Sequence, residues 1–165
     1  MTRFAAIAAV ALSAAGAIAG AQATLRVEPS HLDGPRALED RTAKAAIQNY
    51  VESWQTLRTA LDQNRTDVLD RDFVGNAKDK LVETIQQQAK AGIHTNYQDR
   101  SHNVQIVFYS PEGLSIELTD NVEYVEQILD KEKVIATHPL SAHYVVMLSP
   151  SETRWKVRIL QAGTD

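Results

Sequence analysis

VQIVFYSPEGLSIELT, residues 104–119, reads as two strands joined by a turn. Val104, Ile106 and Phe108 alternate with Asn103, Gln105 and Val107, and beyond the turn Leu114, Ile116 and Leu118 alternate with Ser115, Glu117 and Thr119. A period of two with one apolar face is the pattern of a half-buried antiparallel hairpin. Between the two runs, Ser110-Pro111-Glu112-Gly113 has Pro at the second turn position, where a φ near −65° is needed, and Gly at the fourth.

The alternation extends downstream. The second strand continues through Val122 and Tyr124, with a bulge expected near Asp120-Asn121. Asp130-Lys131-Glu132-Lys133 is an exposed connection. Leu140, Ala142, Tyr144, Val146 and Leu148 form the apolar face of a third strand, and Ser149 to Thr153 is another turn. On the last strand Trp155, Val157 and Ile159 are expected to face inward. Arg154, Lys156 and Arg158 are expected outward, placed to pair with Glu117 and Glu123 across strands. Four antiparallel strands in a meander account for this half of the chain.

Upstream of Gly92 the period is near 3.6. Ala43, Ile47, Tyr50, Trp54, Leu57 and Leu61 recur every three or four residues and form one stripe of a long helix beginning near Ala37. Asn64 lies in the break that follows. Thr66 or Asp67 is expected to cap a short helix carrying Val68, Leu69, Phe73 and Val74. Another helix runs from about Ala77 to Ala91, with Leu81, Ile85 and Ala89 on one face and Gly92 as its C-cap glycine. The helical stripe and the apolar sheet face each need cover, which makes an α+β domain with N-terminal helices on a curved, mainly antiparallel four-stranded sheet.

The N-terminus gives an address. Arg3 precedes a charge-free, alanine-rich stretch from Phe4 that ends in Ala21-Gln22-Ala23. A basic start, an apolar middle and a small-x-small end form a signal peptide cut near Ala23. The organisation expected is a signal over 1–23, a flexible lead-in over 24–36 broken by Pro29, Gly34 and Pro35, and one domain over 37–162. The product is then secreted or periplasmic, and meets a membrane only if the segment is left uncleaved as an anchor. Cleavage of 23 residues from 165 leaves 142, enough for one domain with its own core. Loss of Arg3 leaves 16 basic and 21 acidic residues, a net charge of −5, which disfavours nucleic acid as a partner. The chain has no cysteine, which excludes disulfides, thiol catalysis and thiolate metal sites.

The element order, and in particular the Ile47–Leu61 helix, the Val104–Tyr124 hairpin and Tyr144-Val145-Val146-Met147-Leu148 leading to Arg154-Trp155-Lys156-Val157, resembles the NTF2-like superfamily in the wide sense that includes SnoaL-like domains. The resemblance spans roughly residues 38–160. It implies a cystatin-like cone with a concave face, and a fold that hosts enzymes, binding modules and exported assembly domains alike. In the enzymes of that superfamily Asp, His, Tyr or Arg in the cone moves protons. The candidates for such a role here, none of them set by a motif, are Asp120, Tyr50 and Tyr144, with Tyr124 beside them, and the expected lining of the cone is Tyr50, Trp54, Phe108, Tyr144 and Trp155. Asp120 shares the parity of Leu118 and Val122, so an unbroken strand points it inward, where a carboxylate needs a partner; a bulge turns it outward, and the neighbouring Asn121 favours the bulge.

Parity alone places Val107 and Tyr109 of one strand, and His143, Val145 and Met147 of another, on the outer face. An apolar outer face marks association, so a homodimer or an envelope protein is the expected partner, with a small apolar ligand in the cone as the other possibility. His138 and His143 are separated by an odd number of residues and point to opposite faces, and His31, His94 and His102 offer no convergent set, so no metal site and no cofactor are expected. The Gly-x-Ser-x-Gly, His-Glu-x-x-His and phosphate-loop patterns do not occur. These observations favour a non-enzymatic binding or assembly domain of bacterial type, with a secreted SnoaL-like isomerase or dehydratase as the alternative.

Overall fold

The computed structural model describes residues 22–163 apart from 31, 33 and 35. Most of the proposed signal segment and His31 lie outside the described residues. The elements in chain order are β1 (Thr24–Val27), α1 (Asp40–Asp62), a 3-10 turn (Asp67–Arg71), α2 (Gly75–Lys90), β2 (Ile93–Tyr109), β3 (Ile116–Asp130), β4 (Lys133–Pro150) and β5 (Trp155–Ala162). The strands form one sheet in the order β1-β2-β3-β4-β5.

The α+β class and the antiparallel meander of β2 to β5 match the sequence pattern, but the sheet has five strands and is mixed. Thr24–Val27, read as part of a flexible lead-in, pairs in parallel with Ser101–Val104 on the outer edge of β2. Four residues are too short to announce a strand by alternation, and all four are exposed. Their position is set by the β2 edge, not by burial.

Helix α1 carries the sequence stripe as expected, burying Ile47, Tyr50, Trp54, Leu57 and Leu61 against the concave face of the sheet. Breaks fall at residues in the left-handed region, Asn64 (φ 52°) and Gly92 (φ 71°). Neither Thr66 nor Asp67 makes a side-chain cap; the turn they begin is closed by backbone bonds alone.

Bulges decide which side chains face inward. In the β2–β3 register the pairing skips Arg100 and Val107, and in β4–β5 it skips Arg158. One extra residue inverts the parity of everything beyond it. The bulge at Val107 therefore turns Phe108 out to 45% exposure and Tyr109 in to 9%, so Phe108 does not line the cone and Tyr109 is not on the outer face. The bulge at Arg158 sets Ile159 opposite Met147 on the outer face and puts Leu160 opposite Val146, packed on the core. Strand β3 is unbroken against both neighbours from Ile116 past Tyr124 except where its partners bulge. Ile116, Leu118, Asp120, Val122 and Tyr124 are all buried. The bulge expected at Asp120 is absent, and its carboxylate points inward.

The cations of β5 do not form the ladder with Glu117 and Glu123 that alternation suggests. Arg154 reaches across to α1 and the 3-10 turn, bridging Glu52 and the buried Asp72 at 2.5 and 2.7 Å. Thr56 donates to the same Asp72. This clasp, with the Asp72 carbonyl accepting from the Val157 N–H, fixes β5 to the helical layer.

Candidate functional site

Tyr50 and Trp54 of α1, one turn apart on the buried stripe, project onto the concave face where β2, β3 and β4 present His102, Asp120, Tyr124 and Tyr144. Asp120 is fully buried, and its carboxylate has three partners. The Tyr50 hydroxyl donates to Oδ2 at 2.8 Å, His102 Nδ1 lies 2.7 Å from the same oxygen, and the Asn103 N–H donates to Oδ1 at 3.1 Å. This satisfies the condition on which a charge survives in a dry core.

His102 continues the chain of contacts. It is 2% exposed, and its Nε2 lies 3.7 Å from Asp99 Oδ2, to which Arg58 Nη1 donates at 2.6 Å. A line of polar contacts thus runs from Tyr50 through Asp120, His102 and Asp99 to Arg58. Burial pulls the His102 imidazole toward its neutral form, but the hydrogen bonds and charges of Asp120 and Asp99 outweigh it, and the pKa is raised to about 9. At neutral pH His102 is an imidazolium with a carboxylate on either side. The Tyr50 hydroxyl is pushed well above its ordinary value, first by burial and then by the Asp120 charge, so it stays protonated and donating.

Around this line the cone is filled by rings. Trp54 packs edge-on to His102 at 5.0 Å and to Tyr144 at 5.7 Å, and lies 6.1 Å from Tyr124. Tyr97 stands edge-on to Tyr124 at 5.1 Å and donates to Glu126. The Tyr97 and Tyr144 hydroxyls are both raised, mainly by burial. Of the lining expected from sequence, Tyr50, Trp54 and Tyr144 converge here. Trp155 packs at the far side of the core with its N–H bonded to Asn49, and Phe108 is outside.

A cleft lies beside the cone. It holds about 920 Å3 between α1 and the outer edge of β2. His102, Asp99, Arg58 and Tyr97 line it; Asp120, Tyr50, Trp54 and Tyr144 do not. His102, Asp99 and Arg58 do not stand out as site residues in the sequence. The one available signal is the even spacing that puts His102 on the face of Val104 and Ile106.

The outer face of the sheet holds Val145, Met147 and His143, all half-buried, with His143 bonded to Asn121. Register aligns Phe108, Glu117, Met147 and Ile159 in one row across four strands. The apolar outer patch therefore includes Phe108 and Ile159, and lacks Tyr109.

No family model and no curated protein matches this chain. Solved structures do. The intermembrane space region of the chloroplast protein ARC6 superposes with a TM-score of 0.64 at 16% identity, covering 79% of this chain and 100% of that one. A protein named as a scytalone dehydratase from Novosphingobium aromaticivorans superposes at 0.53 and 15% identity, covering 76% and 89%. Kfla4162 from Kribbella flavida superposes at 0.51 and 9%, covering 73% and 90%. At these identities the comparisons establish the fold, which is NTF2-like, and leave activity to be argued from the site.

Proposed function

We propose that this chain is a non-enzymatic binding or assembly domain of the cell envelope, exported and processed near Ala23. The observation that carries the reading is the state of the cone. The place where an enzyme of this fold would hold a substrate is occupied by Trp54 and its surrounding tyrosines, and the polar groups inside are spent on one another. An imidazolium with both ring nitrogens facing carboxylates, 2% exposed, is a poor proton carrier and a good strut. The similarity to a region named for an intermembrane space supports a role outside the cytosol, and no helix among the described residues is long and apolar enough to cross a membrane.

The partner on the outer face is a second copy of the chain. Val145, Met147 and Ile159 give an apolar patch on an open sheet, with Phe108 beyond Glu117 in the same row and Val107 and His143 at its margins. Val145→Glu together with Met147→Glu is expected to abolish self-association in light scattering at tens of micromolar. A wild-type chain that is monomeric there refutes the dimer.

One observation favours a second reading. Asp120, His102 and Tyr50 converge within hydrogen-bond distance, and one of the structural neighbours is named as a dehydratase. In a SnoaL-like isomerase or dehydratase Asp120 would orient His102 for proton transfer at the cleft. Turnover of a hydroxy-ketone substrate panel, lost in Asp120→Asn, would establish that reading over the first; no turnover by the wild type supports the first.

A further inference from the structure

We infer that the cleft between α1 and β2 is a strand slot, and that its occupant is an extended peptide segment of a protein partner. This rests on the binding reading above and names the class of ligand. The lining carries the argument. Asn96, Tyr97, Gln98, Asp99 and Arg100 are five consecutive residues of β2. Consecutive residues of a strand point to opposite faces, so only its backbone edge presents all five to one cleft. The opposite wall is Val51, Gln55, Arg58 and Asp62, spaced three and four apart along one face of α1, with Thr59 beside them.

The edge is demonstrably fit for pairing. β1 already lies on it in parallel, over Ser101–Val104, and the cleft lies just ahead of the first residue of β1, with Ala23 and Gln22 at its head. From Ile93 to Arg100, β2 pairs with β3 alone among the described residues. That free stretch of eight residues is about 26 Å long at the usual rise per residue. An added strand in line with β1 would extend the sheet by main-chain bonds.

Two polar groups in the slot await a ligand. Asp99 Oδ1 is buried and without a hydrogen-bond donor among the described residues, while its other oxygen holds Arg58. An amide or hydroxyl of the incoming segment satisfies it. Arg100, at the bulge, is exposed and forms no ion pair among the described residues, which favours an acidic side chain opposite it.

The test uses the processed chain, its N-terminus read by mass spectrometry, panned against a phage library of random linear 12-residue peptides. The expected result is enriched peptides, biased toward Asp or Glu, that slow amide exchange at residues 94–100 at least tenfold. Thr59→Trp, which fills the slot from α1, should weaken them at least tenfold, while Leu114→Ser at the exposed hairpin turn should not. Enrichment of nothing, or of peptides that protect only the outer face, overturns the inference. So does protection of 94–100 seen solely in the unprocessed precursor, since the occupant is then the chain's own leader. A peptide-negative chain without turnover leaves the non-enzymatic reading standing; turnover abolished by Asp120→Asn overturns that reading instead.

Discussion

Raising the pH should destabilise this domain through His102. The imidazole titrates near 9 in the folded chain because Asp120 at 2.7 Å and Asp99 at 3.7 Å hold its charge against the cost of burial. In the unfolded chain it returns to about 6.5. A raised folded-state value means that the folded chain binds the proton more tightly, so the stabilisation is complete below about pH 6.5 and is lost as pH rises through 9. The gap is about 2.5 pH units, and at about 1.4 kcal/mol per unit it is worth roughly 3–4 kcal/mol in full. Against a total stability of roughly 5–15 kcal/mol this is a large fraction. Urea unfolding at intervals from pH 6 to 9.5, for wild type and His102→Gln, isolates it. Gln removes the titration while keeping one donor for Asp120, and the other histidines and the N-terminus cancel between the two profiles. The wild type should lose about 3 kcal/mol more than the variant between pH 6.5 and 9.5. Parallel profiles within about 0.5 kcal/mol would refute the assignment of His102 as a buried imidazolium, as would a His102 NMR titration centred at the ordinary value.

Asp120→Asn removes the charge that His102 faces at full burial and should destabilise by roughly 3–5 kcal/mol. Calorimetry should then show a midpoint about 6–15 °C lower. Arg154→Met takes the close cation from the Asp72 carboxylate, which is 1% exposed and keeps Thr56 as a donor, and should cost about 3 kcal/mol in urea unfolding; Asp72→Asn in the same background should recover part of that loss. The glycines separate backbone strain from crowding. At Gly92 (φ 71°) an added Cβ meets nothing within 4 Å, so Gly92→Ala should cost only about 1 kcal/mol, whereas at Gly113 (φ 77°) it meets the Tyr109 hydroxyl at 2.9 Å and the Arg36 guanidinium at 3.0 Å, and Gly113→Ala should cost more by the same measurement.

Much of the architecture is written in local pattern. The 3.6-residue stripe from Ala43 to Leu61, the switch to period two after Gly92 and the turn at Ser110–Gly113 each report which face of an element is apolar. Those signals suffice for two helices over an antiparallel meander, because burying one apolar face is the largest stabilisation each element gains. They also placed Tyr50, Trp54 and Tyr144 on the concave side, where they are found. Alternation could not locate the bulges at Arg100, Val107 and Arg158. A bulge is one unpaired residue, chosen by how two strands of unequal path length fit around a curved core, and it leaves no mark in composition. That is why Phe108, Tyr109 and Ile159 exchanged faces.

The carboxylate of Asp120 shows the same division. Its parity with Leu118 and Val122 was legible, and the cost of burying a lone carboxylate argued against taking that parity at face value. Only the tertiary structure supplies the partners: Tyr50 from a helix 70 residues earlier and His102 from the neighbouring strand, 18 residues earlier, at 2.8 and 2.7 Å. The slot beside β2 was equally out of reach, because it is made of a strand's backbone edge and a helix face that no sequence period brings together. The sequence by itself determined the helices and the four long strands, and their apolar faces as far as the first bulge, since these depend on residues a few positions apart. The polar site and the cleft were decided by tertiary structure, since they depend on which edges and faces of distant elements are left to meet.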